Sequence, residues 1–471
     1  MEPSPAERKE REVEMLEREL WMRVSEDISY ELRQSEQEGK RIPEALRAQA
    51  EGLSKIPAGP ERERAAAALC EALEALPVRG DFPYEEPDGL EEIRALRPME
   101  VRGAAPTLPD ERYDRTYGAW LGRSAGCLLG QPVEAWRRER ILGLLRETGN
   151  YPIQRYLSSD IGAELREKYG VDDGPGPYDA LTKNWINHVD CMREDDDTNY
   201  TVFSLKILER KGRNFTSEDV AVGWLTSLPF LLTCSAERVA YRNLAGLVAP
   251  PQSAQYCNPY REWIGAQIRT DLYGWVNPGD PEAAAGMAWR DGRISHTKNG
   301  LYGAMLAAAM TSAAYACGEP ADVLRAGLGQ IPARCRLAEG VNQVLAWHRA
   351  GDDAETVLRR IHAAWDEADP FDWCHVVPNA MVVAAALLYG AMDFTRTIGL
   401  AVEAGFDTDC NAATAGSVLG VLLGAQGIPA AWTAPLRDRL CSGVHGYAET
   451  AISALARRTV ALAQGYEEAR R

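Results

Sequence analysis

The sequence predicts an all-α fold on three observations. Apolar residues recur at three- and four-residue steps in one segment after another, the periodicity of helices with one buried face. Alternating apolar and polar runs of useful strand length are absent from the pattern. Two stripes of glycine at four-residue spacing, Gly118, Gly122, Gly126 and Gly130 and then Gly416, Gly420 and Gly424, fall within helical segments. A glycine inside a helix costs ~1 kcal/mol relative to alanine, so each stripe implies very close approach of another helix or a ligand along the bare face.

In chain order, Val13, Leu16, Leu20, Val24, Ile28 and Leu32 give an amphipathic helix that Gly39 and Pro43 end. Residues 44–51 and 61–76 read as two further helices. Pro77, Pro83, Pro87, Pro98, Pro106 and Pro109 then make an irregular connector. Residues 1–105 are therefore expected to be an N-terminal helical extension with a Pro-rich connector, apart from one large domain over 106–471. No cluster in the extension suggests chemistry. It is expected to pack on the large domain or on a second subunit, in which case these helices would make a homo-oligomer.

The first glycine-striped helix runs from Tyr113 to Gly130. Thr198–Leu208 follows, and then Val220–Leu228 behind a capping box of Thr216 and Asp219. Gly300–Ala316, Val323–Ile331, Glu339–Ala350, Ala354–Ala364, Asn379–Tyr389 and Phe394–Ala404 continue the pattern up to the second stripe.

The composition, 45% hydrophobic and 26% charged over 471 residues, is that of a soluble globular protein. A net charge of −17 argues against a nucleic-acid or anionic-membrane partner. A phosphate-bearing small molecule stays compatible, because it needs only a local arginine or a few helix N-termini. The ten cysteines form no CxxC pair, and their apolar helical flanks favour reduced, packed thiols. The first residues carry no apolar run behind a basic start, and no apolar run is long enough to span a bilayer, so a cytoplasmic protein is expected. Neither a GxGxxG after a strand nor a GxxxxGK[ST] occurs, which removes dinucleotide redox and P-loop chemistry.

Chemistry is concentrated in two acidic clusters far apart in sequence, Glu194-Asp195-Asp196-Asp197-Thr198 and Asp407-Thr408-Asp409. Each opens a helix with a buried face. Capping a helix needs one aspartate, whereas three in a row repel one another unless a cation sits among them. The second cluster lies between Ala404-Gly405-Phe406 and Asn411-Ala412-Ala413, where carboxylates are costly unless paired or metal-bound. Brought together, the two would make an oxygen-rich pocket for hard divalent cations such as Mg²⁺ or Mn²⁺.

At these residues the chain resembles the ADP-ribosylglycohydrolase family. GFDTDCNAATAGSVLGVLLGAQGIP (405–429) is similar to the family's C-terminal signature, EDDDTNYT (194–201) to its acidic motif, and GAWLGRSAGCLLGQPVE (118–134) to its N-terminal Gly-rich helix. Ile294-Ser295-His296 resembles its Thr-His position. The resemblance implies an orthogonal multi-helix bundle as the catalytic domain, with two Mg²⁺ or Mn²⁺ ions as cofactors. It implies Asp195, Asp196, Asp197, Asp407 and Asp409 as metal-binding residues, the acidic run contributing one aspartate beyond the family's pair. Glu134, Asp196 and Asp407 are the implied catalytic residues, with Glu134 taking the proton of the attacking water. The implied reaction is hydrolysis of an N- or O-glycosidic bond at the ribose C1 of an ADP-ribosylated or NAD-derived substrate. The expected partner is a small molecule with an ADP-ribose or ribosyl moiety, and ADP-ribosylated protein is the larger alternative.

Two departures bear on the site. Cys127 stands where the family's Gly-rich helix has an aspartate, and Cys410 where a threonine or serine follows the second aspartate. A thiol is a poor ligand for a hard cation. Outside the acidic clusters, His296, Asn258, Arg261, His375 and Asn379 are candidate substrate-binding residues. Arg261 or Arg269 is placed to meet a pyrophosphate bidentately, the competing reading being a salt-bridged inter-helix loop. Two other readings accompany the metal hydrolase: a metal-independent glycosidase using two carboxylates, and a non-catalytic structural or ligand-binding protein.

Overall fold

A computed structural model of the chain describes residues 20–98, 109–174 and 183–468. Its axis is the pair of glycine-striped helices, Pro109–Gly130 and Thr408–Leu423. They run antiparallel: Gly118 meets Gly420, Gly122 meets Gly416, Gly126 meets Ala412, and Gly130 meets the backbone of Asp409. A methyl group added at Gly126 would lie 2.7 Å from the Ala413 nitrogen, and one at Gly130 2.5 Å from the Asp409 nitrogen. Backbone therefore packs on backbone along the whole seam, which is the close approach the stripes imply.

Helices Val376–Gly390 and Phe394–Glu403 pack against the second of the pair, and Ile452–Glu468 against the first. Lys298–Ala313 is apolar nearly all round, and every residue from Asn299 to Ala313 is buried, as expected of a helix surrounded by others. Tryptophans fill the joints. Trp120 and Trp275 pack at a tilt, 4.9 Å between ring centroids, and the Trp120 Nε1 donates to Thr459 Oγ1 at 3.1 Å.

The all-α expectation holds. Strand structure among the described residues is one antiparallel pair, Arg439–Cys441 with Glu449–Ala451. Met192 bridges Leu440 beside it, with Met192 N donating to Arg439 O at 3.0 Å and Cys441 N to Met192 O at 2.8 Å. That bridge anchors the chain just ahead of the acidic turn at 194–197. No helix among the described residues is long and apolar enough to cross a membrane.

The N-terminal region differs from the sequence reading in two respects. Helix begins only at Ile28, and residues 20–27 form turns; the part of the expected helix before residue 20 lies outside the described residues. Leu20 is 59% exposed, while Trp21 and Val24 pack on separate clusters rather than along one helical face. Asp27 starts the helix, and its carboxylate is taken by the Tyr260 hydroxyl at 2.6 Å rather than by its own first turn. The connector also contains a short helix, Leu90–Ala95, and the expected boundary at 105/106 falls outside the described residues. Helices Arg138–Glu147, Ala163–Tyr169, Ser235–Ala245 and Pro281–Gly292 complete the bundle where no periodicity singled them out.

The extension packs on the large domain through buried charge. Arg261 donates to Glu31 at 2.7 Å and to Glu38 at 2.7 Å, all three being almost fully buried. Arg33 pairs with Asp369 and, at 2.5 Å, with Asp372. Further along, Glu86 holds Arg336 at 2.7 Å.

Candidate metal centre and active site

Each acidic cluster is delivered by a helix start. Asp195 is the N-cap of helix Asp196–Lys211, with extended backbone, and its Oδ1 accepts from Asp197 N at 3.0 Å. The cap turns the Asp195 side chain back toward Asp197 and leaves Asp196 as the first helical residue between them. At the other wall, Gly405 and Phe406 both adopt positive φ, 76° and 56°, immediately before Asp407. For phenylalanine this is a strained conformation that surrounding contacts must enforce. Its carbonyl accepts from Trp373 Nε1 at 2.8 Å, and its ring lies 4.7 Å from that of His362. Asn379 completes the turn: its Oδ1 accepts from Asp407 N at 3.1 Å and from Asn411 Nδ2 at 2.7 Å.

The two starts meet beneath the end of the first glycine helix. Cys127, Asp195, Asp197 and Asp409 each offer one ligand atom within 4.8 Å of the others, and so do Asp407, Asp409 and Cys410. Asp409 belongs to both groups. Asp197 Oδ2, Asp407 Oδ1 and Asp409 Oδ1 are buried and have no hydrogen-bond partner. Three orphaned carboxylate oxygens, spread over two groups that share Asp409, are expensive without a cation and are the usual donors to one. The residues present therefore fit divalent metal. Asp196, expected as a ligand, is in neither group; it is half-buried, and its charged neighbours are Asp195, Asp197, Glu134 and Asp407.

Burial and mutual repulsion raise these carboxylates. Burial and then the Glu134 charge push Asp407 up to about 7. Burial pushes Asp197 up to about 6, against the pull of Arg123. Asp195 and Asp409 go well above the usual carboxylate range, by burial first and then by Asp197 and Glu134 respectively. Burial and the same aspartates push the Cys127 thiol well up.

A stability consequence follows for the metal-free protein. The folded state keeps protons on Asp197 and Asp407 that the unfolded chain releases near pH 4, so their contribution is full below about pH 4 and is lost as pH rises through 6 and 7. Metal-free protein should melt several degrees lower at pH 8 than at pH 5. Saturating divalent cation should narrow or reverse that difference in a paired thermal melt.

Glu134 follows the short 3-10 turn Gln131–Val133 at the end of the glycine helix and is half-buried. Lys183 Nζ lies 3.2 Å from its Oε2. Asp197 is held from behind by the fully buried Arg123, whose Nη2 donates to Asp197 Oδ1 at 2.9 Å while Nη1 donates to Asp271 Oδ2 at 2.9 Å. Arg123→Met should cost about 3–5 kcal/mol in denaturant unfolding, because two buried carboxylates lose their counter-ion. Sequence reasoning missed Arg123, although an arginine within the small-residue face of a buried helix is itself a signal for an internal ion pair.

The substrate candidates divide by geometry. Arg261, expected at a pyrophosphate, is instead consumed by Glu31, Glu38 and the Asn258 carbonyl. Asn258 is fully buried and donates to Ala236 O and Ser295 O. Arg269 is likewise spent on Glu237 and Asp291, at 2.8 and 2.5 Å. The competing reading of this segment, a salt-bridged inter-helix connection, describes all three. His375 stacks on Trp365 at 4.9 Å and accepts from Val377 N. Asn379 positions the Asp407 turn as described. His296 is buried with Nδ1 against Ser295 Oγ at 2.8 Å, and its Nε2 has no hydrogen-bond partner 3.9 Å from Glu237. Burial and Arg269 hold its imidazole well below the ordinary range, hence neutral.

Two helix starts that bring buried carboxylates into groups able to hold a metal ion define an all-helical protein with an acidic centre. The family model for ADP-ribosylglycohydrolase matches residues 108–469, and the chain belongs to that family. A solved structure titled ADP-ribosylglycohydrolase-related protein complex is similar at 21% identity, covering 75% of this chain and 99% of that one, with a TM-score of 0.43. No curated protein matches the chain in sequence.

Proposed function

We propose that the chain is a divalent-metal-dependent hydrolase that cleaves an N- or O-glycosidic bond at the ribose C1 of an ADP-ribosylated or NAD-derived small molecule. The observation that carries this reading is Asp409, whose carboxylate joins both ligand groups while its buried Oδ1 has no partner. Asp195, Asp197, Asp407 and Asp409 would hold the cations. When bound, they supply Lewis acidity toward water and the ribose hydroxyls.

The chain's own groups do the rest. Glu134, half-exposed above the cluster, accepts the proton of the attacking water. Lys183, whose Nζ lies 3.2 Å from Glu134 Oε2, orients that carboxylate. Departure from C1 builds oxocarbenium character, and the half-buried Asp196 is the carboxylate proposed to face it. His296, neutral and with an unpartnered Nε2, and His375, whose buried Nε2 is also unpartnered, are the remaining candidates for substrate contact.

The test is a thermal-shift matrix of Mg²⁺ and Mn²⁺ with and without ADP-ribose, followed by turnover of ribosylated substrates after chelation. Stabilisation by metal and ligand together beyond either alone is expected, with turnover lost on chelation and restored by metal. One observation favours a second reading: Asp407, protonated up to about 7 near the Glu134 charge, has the character of a general acid. Full turnover after exhaustive chelation would select that metal-independent glycosidase. Binding of neither metal nor ADP-ribose would leave a non-catalytic family member.

A further inference from the structure

The sulfur atoms in this centre change which cation it should hold. Each ligand group contains one thiol: Cys127 with Asp195, Asp197 and Asp409, and Cys410 with Asp407 and Asp409. Both cysteines are buried inside the carboxylate cluster, at 0% and 6% exposure, so neither is a surface substitution of no consequence. A third thiol, Cys374, lies 4.0 Å from Asp407 Oδ2. The acids also leave room for a metal: Asp197 gives Oδ1 to Arg123 and keeps Oδ2 unpartnered, and Asp407 and Asp409 each keep an unpartnered Oδ1.

Hard Mg²⁺ takes near-octahedral oxygen and avoids sulfur, whereas zinc-class cations accept thiolate, imidazole and carboxylate in four-coordinate sites. We propose that both ligand groups take a thiolate-accepting, zinc-class divalent cation rather than Mg²⁺, with Cys127 and Cys410 as ligands. This rests on the metal-hydrolase reading and refines it. On binding, each thiol gives its proton to solvent and coordinates as thiolate. The donor counts assign different duties. The Cys127 group supplies four protein donors, the number of a closed, structural zinc site. The Cys410 group supplies three and leaves a position for water, the pattern of a catalytic one. Asp409 ties the two together.

Zinc outbinds magnesium at almost any donor set, so an affinity ratio alone decides nothing. The sulfur signature does. The full-length chain, stripped of metal, is titrated with Co²⁺ as a spectroscopic stand-in for zinc, and Zn²⁺ and Mg²⁺ binding is followed by calorimetry. The expected result is a near-ultraviolet thiolate-to-cobalt charge-transfer band that saturates at two equivalents and is bleached by Zn²⁺. Cys127→Ser and Cys410→Ser should each remove about half of that band and weaken Zn²⁺ by roughly 10-fold or more, with little change in Mg²⁺ binding. The wild-type spectrum keeps the test valid should either variant fold poorly. Two bound Co²⁺ with no thiolate band would overturn the sulfur ligation while sparing the metal-hydrolase reading. Absence of any divalent binding would overturn both.

Discussion

Asp409→Asn should abolish two-site metal binding and lower metal-dependent turnover by about 10³-fold or more, the largest functional effect of any single substitution. Its carboxylate is the one donor common to both groups, so neutralising it removes a charge from each site at once. Asp407→Asn, by contrast, touches only the Cys410 group and should leave one equivalent bound at the Cys127 group. Stability should move the other way. Asp409 is buried, has an unpartnered Oδ1 and sits in the field of Glu134, Asp407, Asp195 and Asp197. Asparagine relieves that repulsion, so the metal-free variant should melt at or above metal-free wild type at pH 8. Loss of function with unchanged or higher metal-free stability separates a ligand from a structural residue. Calorimetry giving two equivalents in Asp409→Asn would show that the two groups do not share this donor.

Much of this centre was legible in the sequence, and the reason is local. Helix starts carry their own signals, so the acidic turns at 194–198 and 407–409 announced their position, and the apolar flanks of the second announced its burial. The division of labour among the three consecutive aspartates was not legible. Spacing alone treats Asp195, Asp196 and Asp197 alike, whereas the cap geometry folds Asp195 over Asp197 and sets Asp196 apart. The two thiols read as departures because hardness arguments applied to each alone make it a poor ligand. Only the fold shows that each falls in a separate ligand group.

In the segment 258–271 the substrate-binding reading gave way to the salt-bridged one for the opposite reason. Its charges look available because their partners lie far along the chain: Glu31 and Glu38 for Arg261, Glu237 and Asp291 for Arg269, Arg123 for Asp271. A composition reading sees a polar loop, and only long-range packing turns it into a buried ionic spine. The N-terminal extension was read as packing on the large domain or on a second subunit. Its attachment to the large domain through Arg261 and Arg33 is what withdraws Arg261 from the cleft.

Gly126→Ala should lower unfolding stability by about 3 kcal/mol or more, against the helix-propensity expectation of a gain near 1 kcal/mol. Propensity counts only the helix's own backbone entropy. At this position the opposing helix decides, because a Cβ would overlap the Ala412 carbonyl and come within 2.7 Å of the Ala413 nitrogen. Neither contact is the end of a flexible side chain that can swing away. Both belong to helix Thr408–Leu423, so relief requires moving that helix as a body. The helix begins at the Asp407 cap and carries Asp409 and Cys410 in its first turn, so the displacement also reaches the ligands. Gly130→Ala presses on Asp409 directly, since its Cβ would lie 2.5 Å from the Asp409 nitrogen and Cα. The pair of variants therefore separates the seam's two roles. Gly126→Ala should lose melting temperature by about 5 °C or more. Gly130→Ala, at the Asp409 end of the seam, should lose proportionally more metal affinity. Equal melting temperatures for wild type and Gly126→Ala would mean that the helices are not held at backbone contact. The glycine stripe would then have no part in bringing the two acidic turns together.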